Sequence, residues 1–131
     1  MSLTDRQRRQ LDAVNLRVNH GVRAQADSVT FGRAERWAAA ELGGAGDCED
    51  LAIAKAQALA AAGVPVAALR LATCWTEAGE PHCVLTVDAA DDTLVLDNRF
   101  DRVMSWAALT RRGYRWDRRQ NADDDGWSLI A

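Results

Sequence analysis

Apolar residues at Leu11, Val14, Val18 and Val22 recur at helical spacing, and Thr4-Asp5-Arg6-Gln7 just before them fits a capping box. The pattern predicts an amphipathic helix at the start of the chain, interrupted by Ser28-Val29-Thr30. A second helix is expected around Ala34, Trp37 and Ala38, closing at Gly43-Gly44, where glycine can take a left-handed cap. A third, rich in Ala and Leu, is predicted over 48–62, with Gly63 and then Pro65 as its stop. Beyond it the period changes to two. Residues 67–75, 82–88 and 93–97 read as strands, Ser105 as the cap of a short helical piece over 106–109, and 114–116 and 127–130 as two last strands. Three helices followed by a run of strands predict an α+β fold with an antiparallel sheet.

Composition narrows this picture without changing it. The 131 residues suffice for one domain, 1–131, with a real core, and 48% hydrophobic against 27% charged is an ordinary globular balance. A net charge of −3 argues against nucleic acid as a partner, so Arg8-Arg9, Arg111-Arg112 and Arg118-Arg119 read as solvated faces. Every apolar run is broken by charge too soon to span a bilayer. Met1 to Gln10 carries no signal-peptide core, so the expected address is cytoplasmic unless the chain is cut from a longer precursor. Three cysteines, an odd number, argue against a disulfide-stapled scaffold. Cys74 and Cys83 flank the 76–81 connection and pair only if their α-carbons come within ~7 Å.

The candidate chemistry centres on Cys48. It sits in the first turn of the third predicted helix, where unpaired N–H groups and the helix dipole favour an anion. That setting promotes a thiolate, and the same N–H groups can hold an oxyanion. A small buried cysteine is the commoner fate of this residue type. Here, however, Gly44 and Gly46 leave room for a substrate, and Asp47, Glu49 and Asp50 surround the thiol.

A nucleophilic cysteine needs a base, and the base needs an orienting group. Of two histidines, His20 reads as a surface residue of the first helix, whereas His82 opens a strand. A hairpin closing over 88–91 pairs residues whose numbers sum to 179, which sets His82 opposite Asp97 with β-carbons ~5 Å apart. A one-residue slip would break that pairing.

Gly46-Asp47-Cys48-Glu49-Asp50 with Leu51-Ala52-Ile53-Ala54-Lys55 resembles the nucleophile motif of the bacterial transglutaminase-like cysteine proteinases. The likeness continues through Gly63-Val64-Pro65, Leu69-Arg70-Leu71, His82 and Leu94-Val95-Leu96-Asp97-Asn98, and reaches from Trp37 to Asp125-Gly126-Trp127. The resemblance implies a papain-like α+β fold, a Cys48–His82–Asp97 triad and hydrolysis of a peptide bond in a bacterial protein, a surface adhesin being the family precedent. It also implies a periplasmic address and calcium beside the nucleophile, with Asp47 and Glu49 as ligands. Adjacent carboxylates suit such a hard cation, although the same residues also serve as ordinary first-turn acids. Asp50 is a third candidate ligand, and Asp123-Asp124-Asp125 reads as a solvated loop.

Trp37 is weighed as an oxyanion donor against a plain core role, and Asn98 as a donor to the triad against a turn residue. Cys83 beside His82, alanine at several positions and a short 76–81 loop depart from the family pattern, and specificity lives in such loops. Two other classes stay open: a transamidase on the same fold, and a binding module in which Cys74, His82 and Cys83 hold zinc.

Overall fold

The computed structural model of the protein describes residues 4–20, 46–90 and 92–130. Its elements run α1 (Asp5–Asn19), α2 (Gly46–Ala61), a 3-10 turn (Val66–Ala68), β1 (Leu69–Trp75), β2 (Pro81–Asp88), β3 (Thr93–Leu96), β4 (Met104–Ser105), α3 (Trp106–Arg112), β5 (Arg115–Gln120) and β6 (Trp127–Leu129). The expected α+β class is met. The helix expected around Ala34 to Ala38, with Trp37, lies outside the described residues, as does Val22.

Local chemistry starts and stops these elements as expected. At the head of α1 the Gln7 N–H donates to Thr4 Oγ1 at 3.1 Å and the Thr4 N–H to Gln7 Oε1 at 2.9 Å, a reciprocal capping box. Past α2, Gly63 takes φ 100, the Gly63 N–H donates to Ala60 O and the Val64 N–H to Leu59 O, a left-handed Schellman stop. The same motif ends α3 at Gly113, where the Tyr114 N–H donates to Leu109 O. That turn delivers Tyr114 into the core against Leu109. Ser105 caps α3 as predicted, accepting from the Ala108 N–H at 3.0 Å.

All six strands form one antiparallel sheet in the order β4-β3-β2-β1-β5-β6. Alternation along β2 divides two cores. Cys83, Leu85 and Val87 face α1 and α2, meeting Leu11, Val14, Val18, Ala52, Ala56 and Leu59. Val84 faces the other way with Ala72, Cys74 and Val95, under Leu109 and Tyr114. Leucines buried this fully each contribute about 1.5–3 kcal/mol.

One register differs from the expectation. Leu85 pairs with Leu96 and Thr86 with Val95, so opposite residues sum to 181 rather than 179, because the turn closes around Ala89 and Asp92. A shift of two keeps every side chain on its face, whereas a shift of one would not. His82 therefore stands diagonal to Asp97, not opposite it, and on the same face.

Candidate active site

The thiol, the imidazole and the carboxylate come from three elements. Cys48 is the third residue of α2 and is half-buried. Although α2 covers the opposite face of the sheet from His82, its first turn overhangs the start of β2, and the Cys83 N–H donates to Cys48 Sγ at 3.3 Å. His82 is the second residue of β2 and is 6% exposed. Asp97, completely buried, directly follows β3.

His82 Nε2 and Asp97 Oδ1 are 2.7 Å apart. With Nε2 committed to the carboxylate, Nδ1 is the ring nitrogen left to serve the neighbouring Cys48 thiol. Burial alone would depress the His82 pKa. Hydrogen bonds and charge from Asp97 and Cys48 outweigh it and lift the value to about 9. Burial likewise pushes the Asp97 carboxyl upward, but His82, Tyr114 and the Arg99 N–H hold it below its ordinary range. The balance favours an imidazolium beside a carboxylate.

Residues that the sequence pattern did not single out fix this arrangement. The Tyr114 hydroxyl donates to Asp97 Oδ2 at 2.6 Å. Arg99 donates its backbone N–H to Asp97 Oδ1 at 2.9 Å and its Nη1 to the Tyr114 oxygen at 3.0 Å. Glu77 grips the same guanidinium with two bonds of 2.8 and 2.5 Å, which draws its carboxyl down to about 2. The turn carrying Asp97 is tied to α1: Asn19 Nδ2 donates to the carbonyls of Asp97 and Phe100, and Asn15 Nδ2 to those of Phe100 and Asp101. Asn15 and Asn19 are four apart, one turn of the same helical face, a spacing visible in the sequence only once the turn they hold is known. Lys55, two turns below Cys48 on α2, is almost fully buried. Burial lowers its pKa to about 8 against the opposing pull of Asp97, Asp101 and Cys48.

Other candidates fall elsewhere. Asn98 is an exposed turn residue, the second of the two roles weighed for it, and the backbone donor to Asp97 Oδ1 is the Arg99 N–H. His20 is on the surface as expected, but it does meet an acid, Asp101, at 2.9 Å. Cys74 and Cys83 are both free, and they do not form the disulfide weighed for them. They occupy neighbouring positions on β1 and β2 but point to opposite faces, into separate cores. Burial pushes the Cys74 thiol up to about 12 and Cys83 well above its usual value.

A zinc site at Cys74, His82 and Cys83 has no support: among the described residues no three His, Cys, Asp or Glu gather as metal ligands. Glu49 is half-buried in the first turn of α2 and Asp50 is exposed, while the Asp47 side chain lies outside the described part. Asp123, Asp124 and Asp125 are exposed, and Asp124 Oδ1 accepts from Asn121 and Gly126 within their own turn. Among the described residues, no helix is long and apolar enough to cross a membrane.

A thiol in the first turn of a helix, beside a buried imidazole and carboxylate on an antiparallel sheet, defines the papain-like class of thiol hydrolases. Within that class, the chain belongs to the bacterial transglutaminase-like cysteine proteinase (BTLCP) family, whose model matches residues 1–131. It is therefore a cysteine protease by family. Among solved structures it is similar to Legionella pneumophila LapG, at 25% identity and a TM-score of 0.63, over 92% of this chain and 67% of that one. The calcium-bound form of that LapG aligns at 27% identity and a TM-score of 0.64, over 92% and 67%. The EGTA-treated form gives 25% and 0.64, over 92% and 66%. The chain thus spans about two thirds of the length of these LapG chains. No curated protein matches it.

Proposed function

We propose that Cys48, His82 and Asp97 form the catalytic triad of this protease and that it cuts a peptide bond in a bacterial protein. The observation that carries the reading is the buried 2.7 Å bond from His82 to Asp97 at the strand end that Cys48 overhangs. The Cys48 thiolate attacks the scissile carbonyl, and the backbone N–H of the α2 first turn receives the oxyanion. The His82 imidazolium gives its proton to the departing amine, which leaves a Cys48 thioester. Neutral His82 then takes a proton from water, the hydroxide adds to the thioester, and the thiolate leaves as the acid is released. Asp97 holds the imidazole tautomer and stabilises its charge throughout.

Asp47 and Glu49 flank the nucleophile with hard oxygen donors. They fit calcium by chemistry, with backbone carbonyls and water as the further ligands such an ion takes. The ion's contribution there is to neutralise carboxylate charge beside the thiolate and to fix the chain entering α2. The calcium-bound LapG relative supports this assignment. Within protein substrates, a surface adhesin is the narrower candidate, and the periplasm is the address that goes with it.

The test compares protein N-termini released from a bacterial surface-protein preparation by the wild type and by Cys48→Ala, with calcium present. New termini that appear with the wild type alone support the reading. Identical termini from both proteins overturn it.

A further inference from the structure

The Asp97 carboxylate receives three hydrogen bonds, and they are not equivalent. His82 Nε2 and the Arg99 N–H both converge on Oδ1, whereas Tyr114 is the donor to Oδ2 at 2.6 Å. Two donors on one oxygen pin that oxygen, but on their own they resist twisting of the group about Cβ–Cγ from one side only. A donor on the second oxygen sets its plane, and with it the direction offered to His82. We propose that Tyr114 is a positioning residue of the protease: it locks the Asp97 carboxylate plane and so holds His82 in line for the step in which water is activated. This inference rests on the triad reading and extends it to a fourth side chain.

The phenol is itself held. Arg99 Nη1 donates to its oxygen at 3.0 Å, which directs the hydroxyl proton to Asp97 and polarises the O–H bond. Glu77 fixes the guanidinium from the 76–80 connection with a two-pronged bridge. Gly113, at φ 116, admits that connection so closely that a β-carbon there would stand 2.9 Å from Glu77 Cβ. The Tyr114 ring is 3% exposed, 6.1 Å from the His82 ring edge-on and 5.7 Å from Trp116. Those ring contacts survive in phenylalanine and the hydroxyl does not, so Tyr114→Phe removes the bond while keeping the packing.

Two reactions of Cys48 separate orientation from nucleophilicity. Alkylation by iodoacetamide needs the Cys48 thiolate but no water activated by His82. Turnover of p-nitrophenyl acetate also requires deacylation, in which water loses a proton to His82 Nδ1 and the resulting hydroxide adds to the acetyl thioester. The tetrahedral oxyanion then expels the Cys48 thiolate and releases acetic acid, leaving His82 as imidazolium.

The experiment measures both reactions in calcium-containing buffer for wild type, Tyr114→Phe, Arg99→Met and Cys48→Ala. Tyr114→Phe is expected to slow deacylation about tenfold, the kinetic equivalent of one hydrogen bond. Its alkylation rate is expected to change far less. Arg99→Met, which alters a side chain at the surface and spares the backbone bond to Asp97, is expected to slow deacylation about threefold. That variant decides the matter if Tyr114→Phe does not fold. Deacylation at the wild-type rate in both variants overturns the positioning role. Undiminished turnover in Cys48→Ala instead sinks the triad reading beneath it, so the two failures are told apart.

Discussion

Two buried cations pull the pH dependence of stability in opposite directions, and removing one exposes the other. His82 rises from 6.5 to about 9 on folding, since burial is outweighed by its bonds to Asp97 and Cys48. A raised pKa adds stability that is complete below pH 6.5 and lost as the pH climbs through about 9. Lys55 falls from 10.5 to about 8, because burial penalises its ammonium more than the nearby acids favour it. Its sign is opposite: the charged side chain costs stability up to about pH 8, and the cost fades as the pH rises towards 10.5. The two intervals are equally wide, each worth about 3 kcal/mol. Wild-type stability should therefore dip by about 2 kcal/mol from pH 6.5 to 8 and level out to about 9, above which the buried Cys74 and Cys83 thiols, raised on folding, bring a loss of their own. Below pH 9 Lys55→Met leaves the histidine alone: stability falls steadily by about 3 kcal/mol between pH 6.5 and 9, without the plateau from 8 to 9. Urea unfolding followed by tryptophan fluorescence across this range, with the slope m held common, reads the effect. A Lys55→Met profile that stays flat from pH 6.5 to 9 would refute the reasoning, because the His82–Asp97 bond would then add no stability.

The other predictions are more local. Iodoacetamide should label Cys48 well ahead of Cys74 and Cys83, which are buried with raised pKa values; peptide mapping that finds three equal rates contradicts the site. Calcium at a hundred times its dissociation constant should stabilise the fold by about 2.7 kcal/mol, visible as a higher melting midpoint that chelation reverses and Asp47→Ala abolishes. Superimposable melts with calcium and with chelator would leave Asp47 and Glu49 as plain helix-end acids. Gly113→Ala should cost about 1–3 kcal/mol in a thermal melt, since it forces an L-residue to φ 116 and drives a methyl into Glu77; a loss under a few tenths would show that the 76–80 turn yields freely.

The described helices, the strands and the meeting of His82 with Asp97 were legible because each rests on a pattern within a short stretch of chain. Thr4 and Gln7 cap α1, Gly63 stops α2, and Ser105 starts α3, all within a few residues of their partners. The His82–Asp97 pairing was reached through a register two residues out, and it held because an even slip preserves the face. What was not legible is long-range. Asn15 and Asn19 look like polar-face residues until the 97–101 turn lies across them, 78 to 86 residues away. Tyr114 read as one more strand aromatic, and its role depends on a glycine turn that swings it under Asp97. Lys55, in an alanine-rich helix, gave no sign that its charge would be buried.

The central claim, that Cys48, His82 and Asp97 act as one unit, is tested most directly by comparing single and combined knockouts in p-nitrophenyl acetate turnover. In a working triad the losses do not add, because each partner is of little use without the others. Cys48→Ala, His82→Ala and the double variant should all fall to the same residual rate, with Asp97→Ala close above it. If His82→Ala lowers the rate of Cys48→Ala by the same factor as it lowers the wild type, the two residues act independently and the account is wrong.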